Sequence, residues 1–239
     1  MADIVLLHPF PVDHRFWDGV VAHLEAAGHA VRAPDLPGFG RRPAEPGWSM
    51  DGEADRLAAQ VPGRAVVVGL SMGGYLALAL MARHPDRIGA LVLADTRAEG
   101  EPPEGLDARR AVAEGLRTSG TDAFVTAFVP RATWPGASAA TTTRLAALAS
   151  AQSAAAMADA TLAIARRPDR TALLPGIAVP TLVIVGQHDA VTPPPLSTAM
   201  AAAIPGARLA VIGDAGHMTA LEHPAEFAAL VGEVAADLG

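Results

Sequence analysis

Gly69-Leu70-Ser71-Met72-Gly73-Gly74 sets one serine among glycines. A serine hydroxyl does chemistry only when it stands clear of the chain, beside donors that can hold a developing negative charge, and within reach of a base. A tight strand-to-helix turn meets the first two needs. Glycines at 69 and 73 let neighbouring backbone pass closely, and a helix N-terminus offers unpaired amides, that of Met72 among them. The same six residues can also form a plain turn in which Ser71 caps the helix. Context favours the nucleophile: a β-branched apolar run occupies residues 65–70, and an alanine- and leucine-rich helical pattern starts at residue 72.

A nucleophilic serine needs a base, and the base needs an acid to orient it. His217 follows Gly213-Asp214-Ala215-Gly216, a flexible stretch before the last helical pattern. Asp189 stands just past the apolar run 180–186, and Asp95 ends the run 88–95, so two acids compete for the orienting role. Seven further histidines are present at 8, 14, 23, 29, 84, 188 and 223. His8 is expected to bond backbone near the site, His188 to point away from it, and the others to pack at surfaces. Their spacing matches no common zinc pattern, and neither a metal nor another cofactor is expected.

These residues need elements to bring them together. Strands are predicted at 4–7, 30–34, 65–70, 88–95, 180–186 and 207–213, with helices at 13–28, 72–85 and 224–238. Alternation of this kind implies a mostly parallel sheet with helices on both faces. It breaks between Asp95 and residue 177, where only helical text occurs. The expected organisation is one compact α/β domain: a core of residues 1–96 and 178–239, with residues 97–177 inserted as a small helical cap. Phe124, Phe128 and Trp134 in that cap, with Val191 and Met218 beside the candidate acid and base, are the expected pocket residues.

The bulk numbers narrow the function. The chain has 239 residues, 51% of them hydrophobic, enough for one sizeable core. A formal net charge of -7 argues against nucleic acid and anionic membranes as partners. No cysteine occurs, which excludes a disulfide framework and a thiol nucleophile, and no lysine occurs, which excludes lysine chemistry. The opening Met1–Phe10 stretch is too short in apolar residues for a signal-peptide core, so a cytoplasmic location is expected.

The stretches LLHPFP, APDLPGFGRR, VVVGLSMGGYLALAL, LVLADTRAEG, VPTLVIVGQHDAVTPP and DAGHMTALEHPAEF together resemble the α/β-hydrolase superfamily over nearly the whole chain. More narrowly, the chain is similar to small bacterial carboxylesterases and enol-lactonase-like members. The order Ser71, Asp189, His217 is the order of that superfamily. The resemblance implies Ser71 as nucleophile, His217 as general base and then acid, Asp189 as its orienting group, and the amides of Phe10 and Met72 as an oxyanion hole. Its usual His-Gly is His8-Pro9 here; proline donates no amide, and a cis bond before it would be one way to fit the loop. The implied activity is hydrolysis of a small, largely apolar ester or lactone through an acyl-enzyme. Thioesterase, perhydrolase, acyl-transferase, cyclase and ligand-receptor roles share the same residues and stay open.

Overall fold

A computed structural model describes residues 1–236 and Leu238. Asp237, inside the predicted closing helix, and Gly239 lie outside the described residues. The strands are β1 (Asp3–Leu7), β2 (Ala30–Arg32), β3 (Ala65–Leu70), β4 (Ile88–Ala94), β5 (Thr181–Gly186) and β6 (Arg208–Ile212). They form one sheet in the order β2-β1-β3-β4-β5-β6, every neighbouring pair parallel. The alternation in the sequence thus yields a parallel sheet flanked by helices, the α/β class expected.

The four inner strands β1, β3, β4 and β5 read as apolar runs because both sheet faces are covered there, while the edge strands β2 and β6 are largely exposed. Side chains alternate across a strand. Val5, Leu7, Val67, Leu91 and Val183 therefore pack on one face with α2 (Met50–Ala58), α3 (Met72–Arg83) and α8 (Pro194–Ala203). Ile4, Leu6, Val66, Val68, Val92 and Ile184 pack on the other with α1 (Asp18–Ala26) and α9 (Pro224–Ala236). Each such side chain contributes roughly 1.5–3 kcal/mol relative to exposure.

Two predicted elements differ in detail. The helix predicted over 13–28 is a 3-10 turn at His14–Trp17 followed by α1, because Asp13 caps the turn through the Arg15 amide. Helix α2 is not among the elements predicted from the sequence. Ser49 caps it, but its core stripe includes Glu53, which is buried by ion pairs to Arg42 (2.5 Å) and Arg56 (2.6 Å). The rest of the stripe, Met50, Ala54, Leu57 and Ala58, does recur at helical spacing, a signal the sequence reading passed over.

Between β4 and β5 lie α4 (Pro103–Ser119), α5 (Asp122–Ala132), α6 (Ala139–Ser150) and α7 (Ala154–Ala165). The alanine-rich stretch that reads as one helical region splits into α6 and α7, with Ser153 capping α7 through the Ala156 amide. Among the described residues, no helix is long and apolar enough to cross a membrane.

Candidate active site

The carboxyl ends of β1, β3, β4, β5 and β6 all open onto one edge of the sheet, the edge where ligands of parallel sheets bind. Ser71 occupies it between β3 and α3. Its backbone is in the left-handed half of conformational space, φ 53° and ψ −112°, a geometry held only where surroundings over-determine it. The bonds that hold it are on both sides of the residue. Its N–H donates to the Ala94 carbonyl at 2.9 Å, and its own carbonyl accepts from Gly74 N–H at 2.9 Å and from the Thr96 hydroxyl at 2.9 Å.

The glycines are required by what surrounds them. A Cβ on Gly73 would lie 1.9 Å from the Leu7 carbonyl oxygen, and one on Gly69 would lie 2.3 Å from the Gly73 carbonyl oxygen. Both obstacles are backbone, so neither can swing aside. Gly73→Ala is expected to destabilise the fold by about 3 kcal/mol or more, read as a fall in the urea midpoint. Gly115→Ala, with nothing near its Cβ in α4, is expected to stabilise by about 0.5–1 kcal/mol. Equal midpoints for the two variants would contradict the close approach.

His217 reaches the serine across 146 residues of sequence: its Nε2 lies 2.8 Å from Ser71 Oγ. Its Nδ1 lies 2.8 Å from Asp189 Oδ2, and both side chains are buried. The other Asp189 oxygen accepts from the amides of Val191 (2.7 Å) and Thr192 (2.9 Å), and Oδ2 also accepts from the Thr192 hydroxyl (2.8 Å). Burial opposes the charge on Asp189, but the His217 ring and these hydrogen bonds outweigh it and hold the carboxyl below its usual range. With Asp189 ionised, Nδ1 donates and Nε2 accepts the serine hydroxyl.

Asp95 is differently placed. It is fully buried, and its oxygens accept from Gly186 N–H (2.9 Å) and the Thr219 hydroxyl (2.5 Å). Burial, with the Asp189 charge nearby, pushes its carboxyl well above the ordinary range. Asp95 thus ties the end of β5 to the segment just after His217. Glu222, unassigned in the sequence reading, holds the other side of that segment by accepting from the Gly216 (2.9 Å) and Trp134 (2.8 Å) amides.

The loop after β1 carries His8, Pro9 and Phe10. His8 donates Nδ1–H to the Pro9 carbonyl (3.0 Å), while its Nε2 accepts from Leu36 N–H (3.0 Å). Among the described residues, neither the Phe10 nor the Met72 N–H has an acceptor within the protein. The cis peptide of this loop is Phe10–Pro11, not His8–Pro9.

Both His8 bonds require a neutral ring, and burial lowers its affinity for a proton, with smaller opposing effects from the Pro9 bond, Asp35 and Asp13. An unfolded histidine titrates near about 6.5. Below that pH the unfolded chain binds the extra proton, so His8 contributes stability at neutral pH that is lost as pH falls, at up to about 1.4 kcal/mol per pH unit. The stability gap between wild type and His8→Asn, from denaturant titrations, is therefore expected to narrow between about pH 7.5 and about pH 5.5. A constant gap would show that the ring is not held neutral.

A cavity of about 340 Å³ opens over Ser71 and His217, walled by Phe10, Phe124, Phe128 and Val191. Trp134 and Met218 are corrections to the expected pocket. Trp134 stacks on the exposed His188 ring (centroids 6.1 Å apart) and does not line the cavity. Met218 is wholly buried in the core behind His217. Tyr75, Arg109 and Arg131, not anticipated from the sequence, also line the cavity, so its walls are aromatic and partly charged, not merely aliphatic. Their signal was spacing: residues 105, 108, 109 and 112 share one face of α4, and 124, 128 and 131 one face of α5.

Comparison with known proteins agrees with this geometry. A model of the alpha/beta hydrolase family matches residues 4–230. The chain is 34% identical over 235 residues to a pimeloyl-[acyl-carrier protein] methyl ester esterase of Neisseria meningitidis serogroup A, covering 95% of this chain and 74% of that protein. A thermophilic esterase from Thermogutta terrifontis, solved with malate bound, superposes with a TM-score of 0.94 at 35% identity, over 100% of this chain and 90% of that one. The enol-lactonase from Burkholderia xenovorans LB400 superposes at 0.84 with 30% identity, over 98% and 90%.

Proposed function

The chain belongs to the alpha/beta hydrolase family, and from that premise we propose that it hydrolyses carboxylic esters, lactones among them, through an acyl-enzyme formed on Ser71. The observation that carries this reading is the continuous relay from Ser71 Oγ to His217 Nε2 and from Nδ1 to Asp189, each step 2.8 Å.

In the first half-reaction Ser71 Oγ attacks the ester carbonyl carbon as His217 Nε2 takes the hydroxyl proton. The carbonyl π pair moves to oxygen, which the Phe10 and Met72 amides stabilise. One such donor is typically worth about 10²–10³ in rate. The imidazolium then protonates the leaving alkoxide, the ester C–O bond breaks, and an acyl-serine remains. A water deprotonated by His217 attacks that ester in turn, the acyl C–Oγ bond breaks as the imidazolium returns the proton to Ser71 Oγ, and the acid leaves. Asp189 stays ionised throughout, balancing the imidazolium and fixing its ring. Pro9 donates nothing, which is why the first amide falls to Phe10. A relative that is a methyl ester esterase and a structural neighbour that is an enol-lactonase support both the ester and the lactone class.

Incubation with a fluorophosphonate tests the reading directly. A single adduct on Ser71, formed in step with loss of activity on a short-chain p-nitrophenyl ester, is the expected result. An unlabelled protein, or an adduct on another residue, would remove Ser71 from the mechanism and leave a ligand receptor as the better account.

A further inference from the structure

We propose that the cavity above Ser71 recognises a carboxylate on its substrate, with Arg109 of α4 and Arg131 of α5 as the anion subsite. The inference rests on the esterase reading and deepens it, naming the substrate class as esters or lactones that carry a second, ionised carboxyl group.

Charge within the cavity wall is the first reason. The chain as a whole carries -7, yet here the sign reverses. Glu101 lines the cavity with three guanidinium groups about it: Arg167 at 2.8 Å, Arg97 at 3.3 Å and Arg109 at 3.5 Å. Burial works against the Glu101 charge, but the arginines hold its carboxyl below the ordinary range, so it is ionised and already counted. Arg131, a solvent-exposed residue, joins the same wall with no ion-pair partner among the described residues. The cavity lining itself thus holds two arginines, Arg109 and Arg131, and one carboxylate, Glu101, a surplus of one positive charge that one bound anion would balance.

Unused donors are the second reason. Arg167, only 3% exposed at its side chain and stacked over Tyr75 at 4.2 Å, takes the short bond to Glu101. Arg109 is left with an ion contact and no hydrogen bond. Arg109 is partly exposed and has donors to spare, and a ligand carboxylate supplies two oxygens in the fork geometry that guanidinium fits.

Placement is the third reason. On α4 and α5 the cavity stripe is otherwise Gly105, Ala108, Val112, Phe124 and Phe128, so each helix offers one cation within an apolar face. A substrate matched to this wall has an apolar segment between the scissile carbonyl and its carboxylate. A wholly neutral ester would lie against guanidinium donors it cannot satisfy.

The test compares kcat/KM for monomethyl adipate with that for methyl hexanoate, neutral at its far end. At low salt the carboxylate ester is expected to lead by about tenfold or more, and the lead to shrink as NaCl rises from about 20 mM to about 0.5 M. In Arg109→Gln/Arg131→Gln the ratio is expected to fall to within about twofold of one. The hexanoyl ester of glycolic acid places the carboxylate on the alcohol half, and whichever of the two charged esters holds the preference assigns the half that meets the arginines. Inhibition of wild type by adipate, expected to exceed that by adipamide at least about tenfold, needs no variant to fold. Equal turnover of charged and neutral esters, equal inhibition by the two diacid derivatives, or a ratio untouched by the double substitution would overturn the subsite while leaving the esterase standing. No hydrolysis of either ester, with no fluorophosphonate adduct on Ser71, would overturn the hydrolase reading and the subsite with it.

Discussion

Ser71→Ala is expected to lower turnover of a short-chain p-nitrophenyl ester by about 10⁴- to 10⁶-fold and to abolish fluorophosphonate labelling. Residual rate over water would come from the Phe10 and Met72 amides and from binding, because neither needs the hydroxyl. The fold should survive. The bonds that impose the Ser71 backbone run through its N–H and carbonyl, and alanine keeps both. The side chain gives up only the bond to His217. A circular dichroism melt within a few degrees of wild type, beside near-complete loss of activity, is the pattern to look for. Turnover persisting above about 1% would place the nucleophile elsewhere.

The second large effect concerns the choice between two acids. Asp189→Asn should cost about 10⁴-fold in kcat, equivalent to about 5 kcal/mol of barrier. The amide oxygen of asparagine can go on accepting from the Val191 and Thr192 N–H groups, which leaves its NH₂ facing His217 Nδ1. The ring must then accept at Nδ1 and carry its proton on Nε2, where it can no longer take one from Ser71. Asp95→Asn should cost less than about tenfold. An asparagine there accepts from Gly186 N–H and donates to the Thr219 hydroxyl, keeping the brace that holds the β5 end to the His217 segment. A charge lost at Asp95 is a charge that burial already disfavours. Steady-state rates for the two variants on one ester decide the matter. If Asp95→Asn is the crippled one, the orienting role passes to Asp95.

Much of this site is local and therefore legible. Gly69, Ser71 and Gly73 report a turn whose steric needs are met within a few residues, and the runs 65–70, 88–94 and 181–186 announce buried parallel strands by apolar content alone. The ends of such strands must face one edge of a parallel sheet, so Asp95, Asp189 and the loop bearing His217 could be brought to the neighbourhood of Ser71 from order and period. Helix α2 is only partly legible: Met50, Ala54, Leu57 and Ala58 repeat at helical spacing, but the burial of Glu53 among them depends on Arg42, which pairs with it from outside the helix.

Sequence by itself determined which residue types stand at the turn and at the strand ends, because turns and strands are dictated by neighbours a few positions away. Tertiary structure alone decided which acid meets the imidazole, that Trp134 and Met218 turn away from the cavity while Phe124 and Phe128 face it, and that Arg109 and Arg131 come to share it with Ser71. Those outcomes depend on the rotation and docking of helices onto a sheet. A few tens of degrees there move a side chain from the cavity wall to the core or the surface, and helical spacing does not record the difference.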